Sequence, residues 1–282
     1  MKAPADVRPS PIAGTWYEGR APALGAAVDG YISAAQLPPL EGKVVALIAP
    51  HAGHRYSGGV AGYAYAAVKG LKVDQVAVVS PMHEYYPEPL LTSAHRAYST
   101  PLGLVEIDQE GLSELDASLK PALGFGLSVV ARDREHSLEI QLPFLQRALD
   151  GPFKLLPVMV RDQSPRVARA LGEGIAKVLA GKATLLVAST DLSHFYSQRE
   201  ADRLDGYMLE QMAAFSPEGV YEAEAIGKGY ACGLGAVMAV MWAARRLGAN
   251  LVRVLHHDTS ASSTGDPSSV VGYGAAVILK TG

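Results

Sequence analysis

The stretch VVALIAPHAGHRYSGGVAGYAY, Val44 to Tyr65, decides the fold. Its first six residues, Val44 to Ala49, are Val, Ala, Leu and Ile without a polar break. That is the pattern of a strand covered on both faces, as in a parallel sheet, and not of a half-exposed hairpin. Pro50 lacks the amide that a ladder needs and ends the strand. Ligands in such sheets bind beyond the carboxyl ends of the strands, so His51 stands where chemistry is expected. Ser57 to Lys69 then reads as the crossover helix, with Gly58 and Gly59 at its start and small residues that let it lie close to the sheet.

The pattern recurs along the chain. Gln75 to Val79 is apolar and is followed by Ser-Pro-Met-His83, and ATLLVAST (183 to 190) is followed by Asp191-Leu192-Ser193-His194. Strand ends in a parallel sheet share one edge, so His51, His83 and His194 can converge there. FKLLPVMV is a further strand, and Ser164-Pro165 opens a helix, with Ser as cap and Pro in the first turn. Ser197 begins a capping-box match, S-Q-R-E, for a helix over 198–214. NLVRVLHH and SVVGYGAAVIL are the last two strands, and the polar loop 258–269 between them reads as a lid.

Two neutral imidazoles and one anionic ligand, with positions left open, make a site for a substrate-activating transition metal. The anion candidates are Asp191, Glu139 and Cys232. Cys232 lies in GKGYACGLGAVMAVMWAARRLG, at or just before a helix N-terminus whose dipole favours a thiolate. EHSLEIQLPFLQRAL (135 to 149) reads as a helix kinked or reopened at Pro143, with His136 and Glu139 three apart on one face. These two are candidates for a ligand or for a pair supporting the ligands, and His54 is a further supporting candidate. His95 is given no firm role, and His256 and His257 point to opposite faces of a strand. Trp16, in a non-periodic segment after a Pro-rich arm over residues 1–13, is either a packing anchor or a pocket wall.

Composition bounds the rest. At 282 residues, with 49% hydrophobic and 19% charged residues, the chain reads as one soluble α/β domain over 1–282. A net charge of -3 gives no reason to expect nucleic acid or an anionic membrane, which leaves a pocket as the place of function. The single cysteine excludes an intrachain disulfide framework and an all-cysteine metal site, and it fits a reducing compartment. The start has no signal-peptide character, and no apolar run reaches the roughly 18 residues of a membrane span. The expected location is the cytoplasm.

PHAG with the small residues after it, SPMH, EHSLEIQLPFLQ, STDLSHF, ACGLGA and AGTWYEG together resemble the MEMO family, known in microbial genomes as AmmeMemoRadiSam system protein B, over about residues 8 to 275. The resemblance implies a three-layer α/β sandwich around a largely parallel or mixed central sheet, similar to the class III extradiol (LigB-like) dioxygenases. Those enzymes hold nonheme Fe(II) on two histidines and one carboxylate. By the resemblance His51, His83 and Cys232 fall on the metal positions and His194 on the acid/base histidine, while Asp191 and Trp16 match other pocket positions. Tyr85 is a second candidate for stacking against a substrate. A thiolate where the dioxygenases carry a carboxylate shifts the preference from iron toward copper or zinc and adds an oxidisable ligand. Ser80-Pro81-Met82 before His83 also departs from the Gly and polar residue expected there.

Three functional readings follow. The first is metal-dependent oxygen or redox chemistry on a small or peptide-borne aromatic group, with one Fe(II), copper or zinc ion. The second is a non-catalytic scaffold for a peptide, or for the AMMECR1-type and radical-SAM proteins associated with the family. The third is a cysteine hydrolase or transferase with Cys232 as nucleophile, His194 as base and Asp191 as orienter, which leaves His51 and His83 without work.

Overall fold

A computed structural model of the chain describes residues 6–282 as a central mixed sheet flanked by helices. The strands are β1 (Val7–Arg8), β2 (Lys43–Ala49), β3 (Gln75–Pro81), β4 (Leu90–Ser93), β5 (Ala97–Thr100), β6 (Gly103–Glu106), β7 (Ser128–Val130), β8 (Lys154–Val160), β9 (Thr184–Ser189), β10 (His194–Tyr196), β11 (Leu251–Thr259) and β12 (Val270–Lys280). The helices are α1 (Ala21–Ala34), α2 (His54–Ala66), α3 (Gln109–Leu123), α4 (Leu142–Ala148), α5 (Pro165–Leu179), α6 (Gln198–Ala213), α7 (Pro217–Ala225), α8 (Leu234–Arg246) and the single turn α9 (Ala261–Thr264). No helix among the described residues is long and apolar enough to cross a membrane.

The large sheet runs β10-β12-β2-β9-β3-β8-β4-β7, with β11 also paired to β12. Its centre, β2-β9-β3-β8, is parallel, and β12 and β4 join it antiparallel. The apolar runs of the sequence fill this centre. Ala46 to Ala49, Val76 to Val79 and Leu185 to Ala188 are almost fully inaccessible to solvent. Helix α2 packs on β2, β11 and β12, and α8 packs on β2, β3, β8 and β9. The connections β2-α2-β3 and β8-α5-β9 each pass over one strand, because β9 lies between β2 and β3 and β3 lies between β9 and β8. The carboxyl ends of β2, β3 and β9 therefore sit side by side.

Several expected elements differ. Helix α2 begins at His54 rather than Ser57, capped by Gly53, so His54 is its first residue and turns inward. The segment over 90–131 carries three short strands that the sequence did not suggest, of which β5 and β6 form a small separate sheet with β1. The expected helix over 135–149 is broken. Only a 3₁₀ turn at Glu139–Gln141 and α4 are helical, because the Glu135 carboxylate accepts the amides of His136 and Ser137 and Pro143 opens α4. Ser197 stands at the N-cap of α6, but its side chain makes no capping bond. The loop after β11 is ordered by the turn α9 and reaches β12 at Val270.

Register corrects the histidine pattern too. Ala49 of β2 pairs with Ser189 of β9, so the residue level with His51 is Asp191. His194 lies three residues further on, in β10, an edge strand antiparallel to β12.

Gly62 lets α1 and α2 approach closely: a Cβ there would run into the Tyr31 carbonyl oxygen. That oxygen is backbone and cannot swing aside. Gly62→Ala gains about 1 kcal/mol of helix propensity, but the forced separation costs about 1–3 kcal/mol. The expected result is net destabilisation, read as a lower urea midpoint. Gly59→Ala, where a Cβ meets nothing within 4 Å, serves as the control and is expected to be neutral or stabilising.

Candidate metal centre

Beyond the carboxyl ends of β2 and β3, His51 and His83 meet His136 from the irregular segment before α4. One nitrogen from each of these three rings lies within 4.8 Å of the others, a group able to hold a metal ion. Ring centroids are 5.3 Å apart for His51 and His83, 5.6 Å for His51 and His136, and 4.7 Å for the stacked pair His83 and His136.

The hydrogen bonds decide which nitrogens are free. Ser189 Oγ donates to the Ser137 carbonyl at 2.6 Å and accepts from Gln141 Nε2 at 2.8 Å. Its one proton is committed, so the 3.0 Å contact with His51 Nδ1 requires Nδ1–H to donate and leaves Nε2 unprotonated, facing the Cys232 sulfur at 3.1 Å. His83 Nδ1 donates to Glu135 Oε1 at 2.9 Å, which likewise leaves its Nε2 unprotonated when the ring is neutral. A carboxylate behind a histidine is the arrangement that orients metal-ligating imidazoles. Glu135 also accepts the amides of His83, His136 and Ser137 at 2.6, 2.9 and 2.8 Å.

Burial sets the protonation states. Desolvation, reinforced by the neighbouring imidazoles, pushes His51 down to about 3 and His136 down to about 4, so both are neutral at physiological pH. Burial opposes the charge on Glu135, but its bond to His83 and the nearby imidazoles outweigh it, and its carboxyl titrates well below the usual range. Burial likewise works against His83⁺, and Glu135 overcomes it and raises that imidazole.

Cys232 stands just before the Gly233 cap of α8, with Sγ 3.1 Å from His51 Nε2 and accepting the Asp191 amide at 3.2 Å. Burial and the Asp191 carboxylate raise its thiol. Its imidazole neighbour is thus His51, and the Cys232–His194–Asp191 triad is not assembled as hydrogen bonds among the described residues. Asp191 Oδ1 accepts the amides of His51 and Ala52 at 2.6 and 3.3 Å, which fixes the backbone from which His51 projects; burial raises its carboxyl. His194 Nδ1 donates to the Leu192 carbonyl at 2.8 Å, so its Nε2 carries the lone pair, and the ring is close enough for its charge to act on both His51 and Asp191.

The other candidates divide. Trp16 tilts over His136 with centroids 4.1 Å apart and is 37% exposed. Tyr85 is 81% exposed and stands under Arg161. His54 faces away, packed among Tyr17, Tyr31 and Phe144 with Nε2 3.3 Å from the Ile140 carbonyl. Glu139 also faces away, toward Arg8 at 2.5 Å, Ser10 and Tyr17. His256 stacks on Tyr63, His257 binds Asp205, and His95 accepts the Arg132 amide.

Sequence reasoning leaves His136 open as a ligand or a supporting residue and misses Glu135, Ser189 and Gln141. Glu135 directly before His136 was the one local sign. A cavity of about 940 Å³ opens at the opposite end of the sheet, around Gln75 and Lys154, but the nitrogen donors converge at the carboxyl end, so the site belongs there.

A family model described as Memo-like protein matches residues 8–277. A MEMO1 family protein of Nitrosopumilus maritimus is 33% identical over 95% of this chain and 98% of its own length. One from Thermotoga maritima is 33% identical with the same coverage of both chains. A third, from Methanococcoides burtonii, is 35% identical over 84% of this chain and 87% of its own.

The Glu135–His83 pair predicts a pH window. Glu135's depressed value adds stability that is complete above its unfolded value of about 4.3 and is lost as pH falls; His83's raised value adds stability that is complete below about 6.5 and is lost as pH rises. In chelator-treated protein, Glu135→Gln is expected to cost on the order of 3 kcal/mol. Urea melts across the pH range should show the difference from wild type largest between about pH 4.3 and 6.5 and smaller on both sides.

Proposed function

This chain belongs to the Memo-like protein family, and on that premise we propose that it is a transition-metal protein whose strand-end crevice carries out oxygen or redox chemistry on an aromatic group. The convergence of nitrogens from His51, His83 and His136 within 4.8 Å carries the reading. The donors suit the ion: two of the three rings are held neutral by burial, and hydrogen bonds behind His51 and His83 turn Nε2 outward.

His51, His83 and His136 would hold the ion, with the Cys232 thiol, 3.1 Å from His51 Nε2, as a further donor. Fe(II) or copper would supply electron transfer to or from a bound aromatic, and zinc would supply Lewis acidity alone. The chain's own residues do the rest. His194, its Nδ1–H engaged by Leu192, offers Nε2 as the base that takes a proton from a substrate hydroxyl and returns it later. Asp191 keeps the His51 backbone in place, and its carboxylate stabilises the imidazolium of His194 once protonated. Trp16 covers the outer face of His136 and supplies an aromatic surface beside the cluster.

Metal content tests this directly. Protein purified without chelator is expected to carry about one equivalent of transition metal, and titration of stripped protein with zinc or copper should show one tight site. His51→Ala should weaken that site by at least the 10–100-fold seen for lost supporting bonds. Comparing His136→Ala with Cys232→Ser identifies the third donor, since only loss of a true ligand abolishes the site. Unchanged metal content in His51→Ala, or in both His136→Ala and Cys232→Ser, would end the proposal.

A further inference from the structure

Beside the histidine cluster lies a cleft of about 370 Å³ whose walls include Trp16, Ala52, Tyr56, Phe195, Val271 and Tyr273. Among the described residues, no charged side chain lines it. Its size falls in the lower part of the range for small-ligand pockets of roughly 300–1,000 Å³. Ala52 follows His51 directly and Trp16 packs on His136, so the cleft lies next to the histidine cluster with Trp16 between them.

Two details point to a ligand. Tyr273 is 2% exposed and lines the cleft, and its hydroxyl, which is not fully buried, makes no hydrogen bond to a described residue and is open to a ligand's polar atom. Phe195 is the second. It is the extra residue of a β-bulge between β10 and β12, where His194 pairs with Val271 and Tyr196 with Val270. Its φ is +64°, in the left-handed region that an aromatic residue seldom adopts, and its ring is 77% exposed at the rim of the cleft. Bulges beside sites re-aim side chains, and here the bulge sets an apolar ring against solvent next to His194.

We propose that this cleft is the substrate subsite for a neutral, flat, apolar group bearing one polar atom, with Tyr273 Oη as its hydrogen-bond partner and Phe195 closing over its face. The absence of charge in the lining rejects an ionised group, and the aromatic walls favour a ring over a flexible chain. Phe195 and Tyr273 set specificity, and Trp16 divides the subsite from the histidines. The choice of this group as substrate rests on the reading of the cluster as a metal centre, whereas its binding does not.

The probe is p-cresol, with toluene lacking the hydroxyl and p-toluate carrying charge, each titrated by calorimetry or NMR into chelator-treated full-length protein. Wild type is expected to bind p-cresol and to hold p-toluate at least tenfold more weakly. Tyr273→Phe should lower p-cresol affinity about five- to tenfold and leave toluene unchanged. Phe195→Ala, at an exposed position that does not bear on folding, should weaken both neutral probes severalfold. Equal p-cresol binding by wild type and both variants, or no p-cresol binding by wild type, overturns the subsite. His51→Ala should keep p-cresol while losing zinc; if it keeps both, the metal reading fails and the subsite stands.

Discussion

A buried carboxylate that accepts four hydrogen bonds holds the site together. Glu135 takes one bond from an imidazole and three from backbone amides, so both ends of its charge are satisfied without solvent. An ion in that position is tolerable only while every donor stays in place. Its own main chain is clamped in turn. Arg8, 1% exposed, donates to the Glu135 carbonyl at 2.7 Å, pairs with Asp133 at 2.7 Å and Glu139 at 2.5 Å, and lies over the Tyr98 ring. The orientation of His83 therefore traces back to a strand of two residues near the start of the chain, paired to β5 in the small sheet.

The same burial that locks these groups sorts their charges. Three imidazoles a few ångströms apart cannot all be protonated, and desolvation settles the matter by neutralising His51 and His136 while Glu135 keeps His83 basic. Burial acts in the opposite sense on Cys232 and Asp191, disfavouring thiolate and carboxylate. The outcome is a cluster rich in lone pairs and poor in net charge, and it lies at the strand ends because only there can side chains from several parallel strands meet without interrupting the ladders.

How much of this the sequence carries depends on the range of the interaction. The runs at Val44, Gln75 and Thr184 mark buried parallel strands through local pattern alone, and Pro50 and the Ser164 cap mark their own boundaries. His51 and His83 follow, because strand ends in a parallel sheet share an edge. His136 and Glu139 are different. Helical spacing places them together, yet Glu135 draws the His136 and Ser137 amides out of the helical pattern, and the two side chains part company toward His83 and Arg8 respectively. His54 parts from His51 for a related reason: Gly53 starts α2 one turn earlier than the small-residue run suggests, which rotates the imidazole into the core. Phe195 and Tyr273 gave no local sign, since a bulge between β10 and β12 depends on residues some 75 apart in the chain.

Cys232 shows why position outweighs residue type here. Its sulfur is placed almost wholly by backbone: the Asp191 amide donates to Sγ, the Cys232 amide donates to the Asp191 carbonyl at 3.2 Å, and the Gly233 amide donates to Thr190 Oγ1 at 2.9 Å. A Cβ on Gly233 would strike the Ser189 carbonyl oxygen, so the loop after β9 and the entry to α8 fit only with glycine there. These contacts fix the thiol against His51 Nε2 without lowering its pKa; burial and the Asp191 carboxylate raise it. A nucleophilic cysteine needs the reverse, a thiolate favoured by positive surroundings. Burial and the Asp191 carboxylate both disfavour the thiolate at Cys232, and a bound cation would be needed to ionise it.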